Sequence, residues 1–209
     1  IMGYRPTKNS FELKNGAFYN FCKKAEIDEK NDYFFIIDEI NRGNLSKIFG
    51  ELFMLIENDK RNIPLQLLYS NEKFAIPANV HIIGMMNTAD RSLAMLDYAL
   101  RRRFAFFEIK PGFETDGFEK YRSDLNNEKF DKLITCVKDL NRAITVDESL
   151  GEGFCIGHSY FSNLEVDMID YQCLYGIVEY ELIPLLKEYW FDDSVKVKEW
   201  SSKLRSAIK

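Results

Sequence analysis

At 209 residues the chain suits one large domain or a medium and a small one. Its hydrophobic (46%), charged (29%) and aromatic (14%) fractions describe a globular protein with ample material for a core. A net charge of −5 argues against broad electrostatic binding of nucleic acid by these residues alone. No apolar run approaches the ~20 residues that span a bilayer, and no signal peptide is visible. Cys22, Cys136, Cys155 and Cys173 contain no CxxC pair and fit no metal spacing, so reduced thiols in a cytoplasmic protein are expected.

Residues 1–32 read as polar, with one amphipathic piece from Gly16 to Ala25. Tyr33 to Ile40 is an apolar run of the kind that forms a strand buried on both faces. Asn41-Arg42-Gly43-Asn44 is a turn, and Asn44 suits a helix cap. Leu45 to Ile56 then carries Ile48, Phe49, Leu52, Phe53, Leu55 and Ile56 at helical spacing. Leu65–Tyr69 and Phe74–Ile76, split by Ser70-Asn71-Glu72-Lys73, predict a β-hairpin. Val80 to Met86 is a second buried strand, ending at Asn87. Ser92 can cap a helix from Leu93 to Arg102, and Phe104 to Ile109 reads as a third strand. Pro111-Gly112 marks a boundary. Beyond it the pattern is helical: Phe130, Leu133, Ile134, Val137, Leu140 and Ile144 form one face. A Gly-rich loop runs from Leu150 to Phe161. Met168 to Phe191 is long and apolar and should break or kink at Pro184. Ser194 to Ile208 closes the chain with Val197, Trp200, Leu204 and Ile208 inward.

Two of these strands empty into clusters of polar groups, where ligands bind in open α/β sheets. Ile36-Ile37-Asp38-Glu39 resembles a Walker B element: the first carboxylate suits Mg²⁺ and the second can orient or deprotonate an attacking water. A solvated acidic turn is the plainer alternative. Asn87 resembles a sensor residue, since a neutral amide can hold water and a γ-phosphate oxygen without adding charge; a turn-capping Asn is the alternative. Arg101-Arg102-Arg103 complements a helix dipole, which accounts for one arginine better than for three. An arginine can instead stabilise transition-state charge at a neighbouring subunit's nucleotide.

Asp-Glu-Ile-Asn-Arg-Gly-Asn (38–44), Met-Asn-Thr-Ala-Asp-Arg-Ser (86–92) and Ala-Leu-Arg-Arg-Arg-Phe (99–104) together resemble the AAA+ motor of McrB-type proteins. The likeness extends through Leu45–Glu57, the hairpin and Gly157-His158-Ser159-Tyr160-Phe161. It implies an α/β fold: a partial AAA+ P-loop NTPase core, with a parallel sheet flanked by helices and a β-hairpin insertion, in residues 1–110. A small all-helical lid would follow in residues 111–209. It further implies a hexameric ring that hydrolyses GTP, or ATP, between subunits in restriction of modified DNA, together with a McrC-like nuclease partner. Carried over by position, Asp38 would bind Mg²⁺ and Glu39 would activate water. Asn41 and Arg42 would lie at a subunit or partner interface. Asn87, Thr88, Asp90 and Arg91 would be sensing and signature residues. Arg102 and Arg103 would act in trans, with Arg101 less favoured. His158 reads either as a group near the nucleotide or, somewhat better, as a packed loop residue bonded to backbone.

The likeness has a gap. No Gly-x-x-x-x-Gly-Lys-[Ser/Thr] run occurs, and Gly3-Tyr4-Arg5-Pro6-Thr7-Lys8 has the wrong glycine spacing and a proline where a phosphate cradle needs an N–H. The chain is therefore expected to begin after the phosphate-binding loop and after the domain that reads modified DNA. In the family's sheet that loop's strand runs between the strand ending at Asn87 and Phe104–Ile109. Re-pairing of strands, or dimerisation, is expected to cover the edges left behind. The other readings are a MoxR-type ATPase that remodels proteins and a degenerate module that lends arginines without catalysis.

Overall fold

A computed structural model describes residues 2–7, 10–87, 89 and 101–209, which divide into two compact units, Ile1–Phe107 and Glu108–Lys209. Residues 93–100 of the helix expected to run from Leu93 to Arg102, together with its cap Ser92 and with Thr88, Asp90 and Arg91, lie outside the described residues.

In the first unit β1 (Met2–Pro6) and β2 (Phe11–Asn15) form an antiparallel hairpin, with Gly3 opposite Lys14 and Arg5 opposite Glu12. Nothing in the polar stretch before Gly16 signals it. α1 (Ala17–Ile27) follows, burying Phe18, Tyr19, Cys22 and Ala25 along one stripe. β3 (Tyr33–Ile37) pairs in parallel with β6 (Val80–Gly84), Tyr33 opposite Val80 and Ile37 opposite Gly84. α1 covers one face of this pair, where Phe35 packs edge-on against Phe18 and Phe21 at 4.9 and 5.1 Å between centroids. The other face is open: Phe34 is 56% exposed, and Ile36 and Ile83 are exposed beside it. The expectation of burial on both faces is thus corrected, because among the described residues no second helix covers this pair.

α2 (Leu45–Phe49) starts at Asn44, whose Oδ1 accepts the Lys47 N–H at 2.9 Å. The expected single helix to Ile56 breaks at Gly50, which adopts φ +51 and hands the chain to a 3-10 segment, Gly50–Ile56. A left-handed residue cannot continue an α-helix, and glycine takes that conformation without a Cβ penalty. The hairpin appears as β4 (Leu65–Gln66) and β5 (Lys73–Phe74), Leu65 opposite Phe74.

Phe104–Ile109 is not a strand, which corrects a second expectation. Among the described residues β6 pairs with β3 alone, so no re-pairing occurs. Val80–Ile82 and Arg103–Ala105 line a cavity of about 530 Å³ instead of sharing a hydrogen-bond ladder. Without a ladder partner the strand-like sequence stays irregular, with Phe106, Phe107 and Ile109 exposed.

The second unit is helical: α3 (Asp116–Leu125), α4 (Glu128–Val146), α5 (Tyr171–Gly176), α6 (Ile183–Tyr189) and α7 (Ser194–Ala207). Thr115, Asn127, Asp170 and Asp193 each accept an N–H of the first turn of the helix they start. α4 buries Phe130, Leu133, Ile134, Val137, Leu140 and Ile144 completely. Leu204 and Ile208, on or just after α7, are buried in the same cluster. The long apolar stretch is interrupted as Pro184 requires. A π-helical turn, Ile177–Leu182, joins α5 to α6, and the Ile183 N–H reaches back to the Val178 carbonyl. α3 carries little sequence signal, being mostly polar on a short span.

Candidate functional site

The two polar strand ends meet in the first unit. The β3–β6 register continues past the strands: the Met85 N–H donates to the Ile37 carbonyl and the Ile40 N–H to the Met85 carbonyl, both at 2.9 Å. Asp38 and Glu39 therefore leave β3 beside Met85–Asn87 as these leave β6. The Asn41 Nδ2 lies 3.5 Å from the Asn87 carbonyl, the limit of a hydrogen bond. Asn87 turns its own Oδ1 to the Ala89 N–H at 3.0 Å.

Within this group Glu39 has the backbone of interest. Its φ of 49° and ψ of 45° put it in the left-handed region, which a non-glycine residue enters only when its surroundings impose it. Two constraints are visible. The Glu39 N–H is held by Asp38 Oδ1 at 2.9 Å, and the next residue, Ile40, is buried and bonded to Met85. The turn projects the Glu39 carboxylate outward, where Oε2 meets Arg42 Nε at 3.1 Å. Gly84 faces this turn closely: a Cβ there would fall on the Ile40 side chain.

Asp38 is exposed, and with Oδ1 engaged its Oδ2 has no hydrogen-bond partner among the described residues. The described residues contain no group of three or more His, Cys, Asp or Glu able to cage a metal. A single free carboxylate oxygen at a strand end fits Mg²⁺, which keeps several waters and takes substrate phosphates as ligands. Asn41 Oδ1 is buried with no hydrogen-bond partner among the described residues.

The arginines divide. Arg103 is 7% exposed in its side chain, bound to Glu57 Oε1 at 2.8 Å, and its guanidinium carbon lies 4.3 Å from the Phe53 ring centroid. Arg102 is 68% exposed and 3.7 Å from the same oxygen. Arg101 lies 6.0 Å over Phe106. The resemblance, carried over by position, treated Arg102 and Arg103 alike, and Glu57, which distinguishes them, was missed because an acidic residue after an apolar run carries no signal of its partner.

His158, in the second unit, accepts the Gly112 N–H on Nδ1 at 2.9 Å and sits edge-on to Phe113 and Phe118 at 6.3 and 6.0 Å. Its proton is thereby assigned to Nε2. Gly112 packs closely there, since a Cβ would lie 3.0–3.3 Å from three atoms of the ring, which would have to give by a few tenths of an ångström. This is the packed-loop setting.

Residues 1–104 match the family described as AAA domain (dynein-related subfamily), and residues 132–198 match McrB, alpha-helical lid domain. The chain is 50% identical to the Type IV methyl-directed restriction enzyme EcoKMcrB subunit of Escherichia coli (strain K12), over 98% of this chain and 47% of that protein. It is 27% identical, over 57% of its length and 37% of the relative, to the Type II restriction enzyme BsuMI component YdiS of Bacillus subtilis (strain 168). It thus spans less than half of either relative. With an AAA match over the first unit, a McrB lid match over the second and half of its residues shared with a McrB subunit, the chain belongs to the McrB-type AAA proteins.

Proposed function

We propose that these residues form the Walker B, sensor and arginine part of a McrB-like nucleoside triphosphatase that hydrolyses GTP between subunits of a hexameric ring. The observation that carries this reading is the parallel β3–β6 register, which brings the Asp38-Glu39 turn beside Asn87 with Glu39 in a left-handed backbone. Strain of that kind concentrates where a side chain must be aimed.

The Asp38 carboxylate would hold Mg²⁺, and the chemistry a bound Mg²⁺ would supply is neutralisation of charge on phosphate oxygens. Glu39 accepts the proton of the attacking water, or orients it, once the Arg42 contact is exchanged for substrate. The Asn87 amide bonds that water and a γ-phosphate oxygen, and Thr88, Asp90 and Arg91 support it. Asn41 and Arg42 face a neighbouring copy or partner. Arg102, with Arg103 behind it, stabilises charge at the adjoining copy's nucleotide. Lacking a phosphate cradle, these 209 residues alone bind GTP or ATP weakly and do not turn it over. The methyl-directed restriction named for the relative supports a role in cleaving modified DNA, with a McrC-like nuclease partner and a separate domain reading the modification.

The test is Glu39→Gln in the protein carrying both this segment and its phosphate-binding loop. Bound nucleotide should persist while phosphate release stops. Undiminished hydrolysis removes Glu39 from the mechanism, and a clear preference for ATP over GTP favours the MoxR-type reading.

A further inference from the structure

We infer that Glu57 is the positioning residue of the arginine triplet: it anchors Arg103 in the body of the first unit and so fixes Arg102 as the arginine offered to the adjoining copy. The inference rests on the proposed trans action of these arginines. Glu57 directly follows the 3-10 segment Gly50–Ile56, in which Leu52, Leu55 and Ile56 are buried, so its own place is well fixed. Its Oε1 takes one edge of the Arg103 guanidinium at 2.8 Å while Phe53, four residues earlier on the same segment, takes a face. A planar guanidinium held at edge and face has little freedom left.

The same oxygen stands 3.7 Å from Arg102 Nη2, too far for a hydrogen bond but near enough to attract. One carboxylate therefore hydrogen-bonds one arginine and leaves its neighbour outside in solvent. Two adjacent guanidinium groups repel, and partial neutralisation by Glu57 lets Arg102 stay near Arg103 with its head in solvent. Without Glu57 the guanidinium loses the carboxylate at its edge and shifts outward, and the peptide carrying Arg102 moves with it. Arg101 has a separate contact, over Phe106.

The experiment mixes subunits of the intact GTP-hydrolysing protein. Glu57→Gln alone should lower kcat about a hundredfold with little change in KM, as expected for a displaced group rather than a lost binding contact. Glu39→Gln alone should be inactive yet keep its arginines. A mixture should regain hydrolysis, because Glu39→Gln subunits lend intact arginines to sites in Glu57→Gln subunits. A merely structural role for Glu57 would not be rescued by a neighbour. Should Glu57→Gln fold poorly, Glu57→Asp, which keeps the charge but withdraws it from Arg103, takes its place. Unaltered kcat in the single variant overturns the proposal. So does a mixture without recovery when Arg102→Ala mixed with Glu39→Gln does recover. If that Arg102 mixture also fails, the trans reading itself falls.

Discussion

Asp147 is the polar keystone of the helical unit, and its removal should cost about 3 kcal/mol. Its carboxylate, 7% exposed, accepts from Lys196 Nζ at 2.8 Å, from Trp190 Nε1 at 2.9 Å, and from both the N–H and hydroxyl of Ser149 at 2.9 and 2.6 Å. Asp147→Ala strands the indole N–H of Trp190, a residue only 3% exposed, at about 1–3 kcal/mol for an unpaired buried donor. The half-exposed Lys196 and the Ser149 contacts add about 0.5 kcal/mol each. For a unit of this size 3 kcal/mol lowers Tm by ~15 °C. Asp147→Asn, which keeps an acceptor for Trp190 but not the charge, should lose about 1 kcal/mol. The assay is selective, because both tryptophans of the chain, Trp190 and Trp200, lie in this unit and report its melting by fluorescence. A pH arm follows. Lys196 first, and Ser149 next, hold the Asp147 carboxyl well below the usual carboxylate range. Its contribution is thus present above the ordinary value near pH 4 and fades as pH falls through the lowered one. Parent and Asp147→Asn should converge in stability under strongly acidic conditions, while Asp147→Ala stays lower because a protonated carboxyl still accepts from Trp190. A loss under ~0.5 kcal/mol at neutral pH, or no convergence in acid, would refute the reasoning.

Two further outcomes follow from the first unit. Glu39→Gly should stabilise it by about 0.5–1 kcal/mol by relieving the left-handed backbone while abolishing GTP hydrolysis in the intact protein; chemical denaturation followed by circular dichroism reads the first part, and a net loss of stability would mean the turn is unstrained. Gly84→Ala should cost about 1–3 kcal/mol, since its Cβ meets Ile40 Cδ1 with Cγ2 and Cβ only 3.3 and 3.4 Å away. Faster amide exchange at Ile40 and Met85 should accompany that loss, and unchanged exchange would place the Ile40 side chain elsewhere.

What could be read from the chain was what its periodicity and caps encode locally. The six-residue apolar face of α4, the Asn44 cap and the β4–β5 hairpin needed no knowledge of distant partners. The adjacency of Asp38-Glu39 and Asn87 was legible because apolar runs that end in polar clusters leave few alternatives to neighbouring parallel strands. Phe104–Ile109 misled because strand formation is decided by a hydrogen-bonding neighbour, which sequence does not supply. The β1–β2 hairpin was hidden by a short, mostly polar span that backbone bonds define, and α3 by a ten-residue span on which only Phe118, Tyr121 and Leu125 mark the apolar face. Glu57 escaped for a related reason: its meaning lies in Arg103, nearly fifty positions away, and in the aromatic face that helps hold it.

The widened turn ahead of Pro184 has an implication for how this segment tolerates change in length. Losing one residue between Ile177 and Leu182 would rewind it to ordinary α geometry and leave everything downstream in nearly its present phase, because the wide turn carries one residue more than an α turn. Leu186 and Trp190 would stay enclosed. A single-codon deletion here should therefore be far less damaging than one inside α4, where it would turn the apolar face by ~100°.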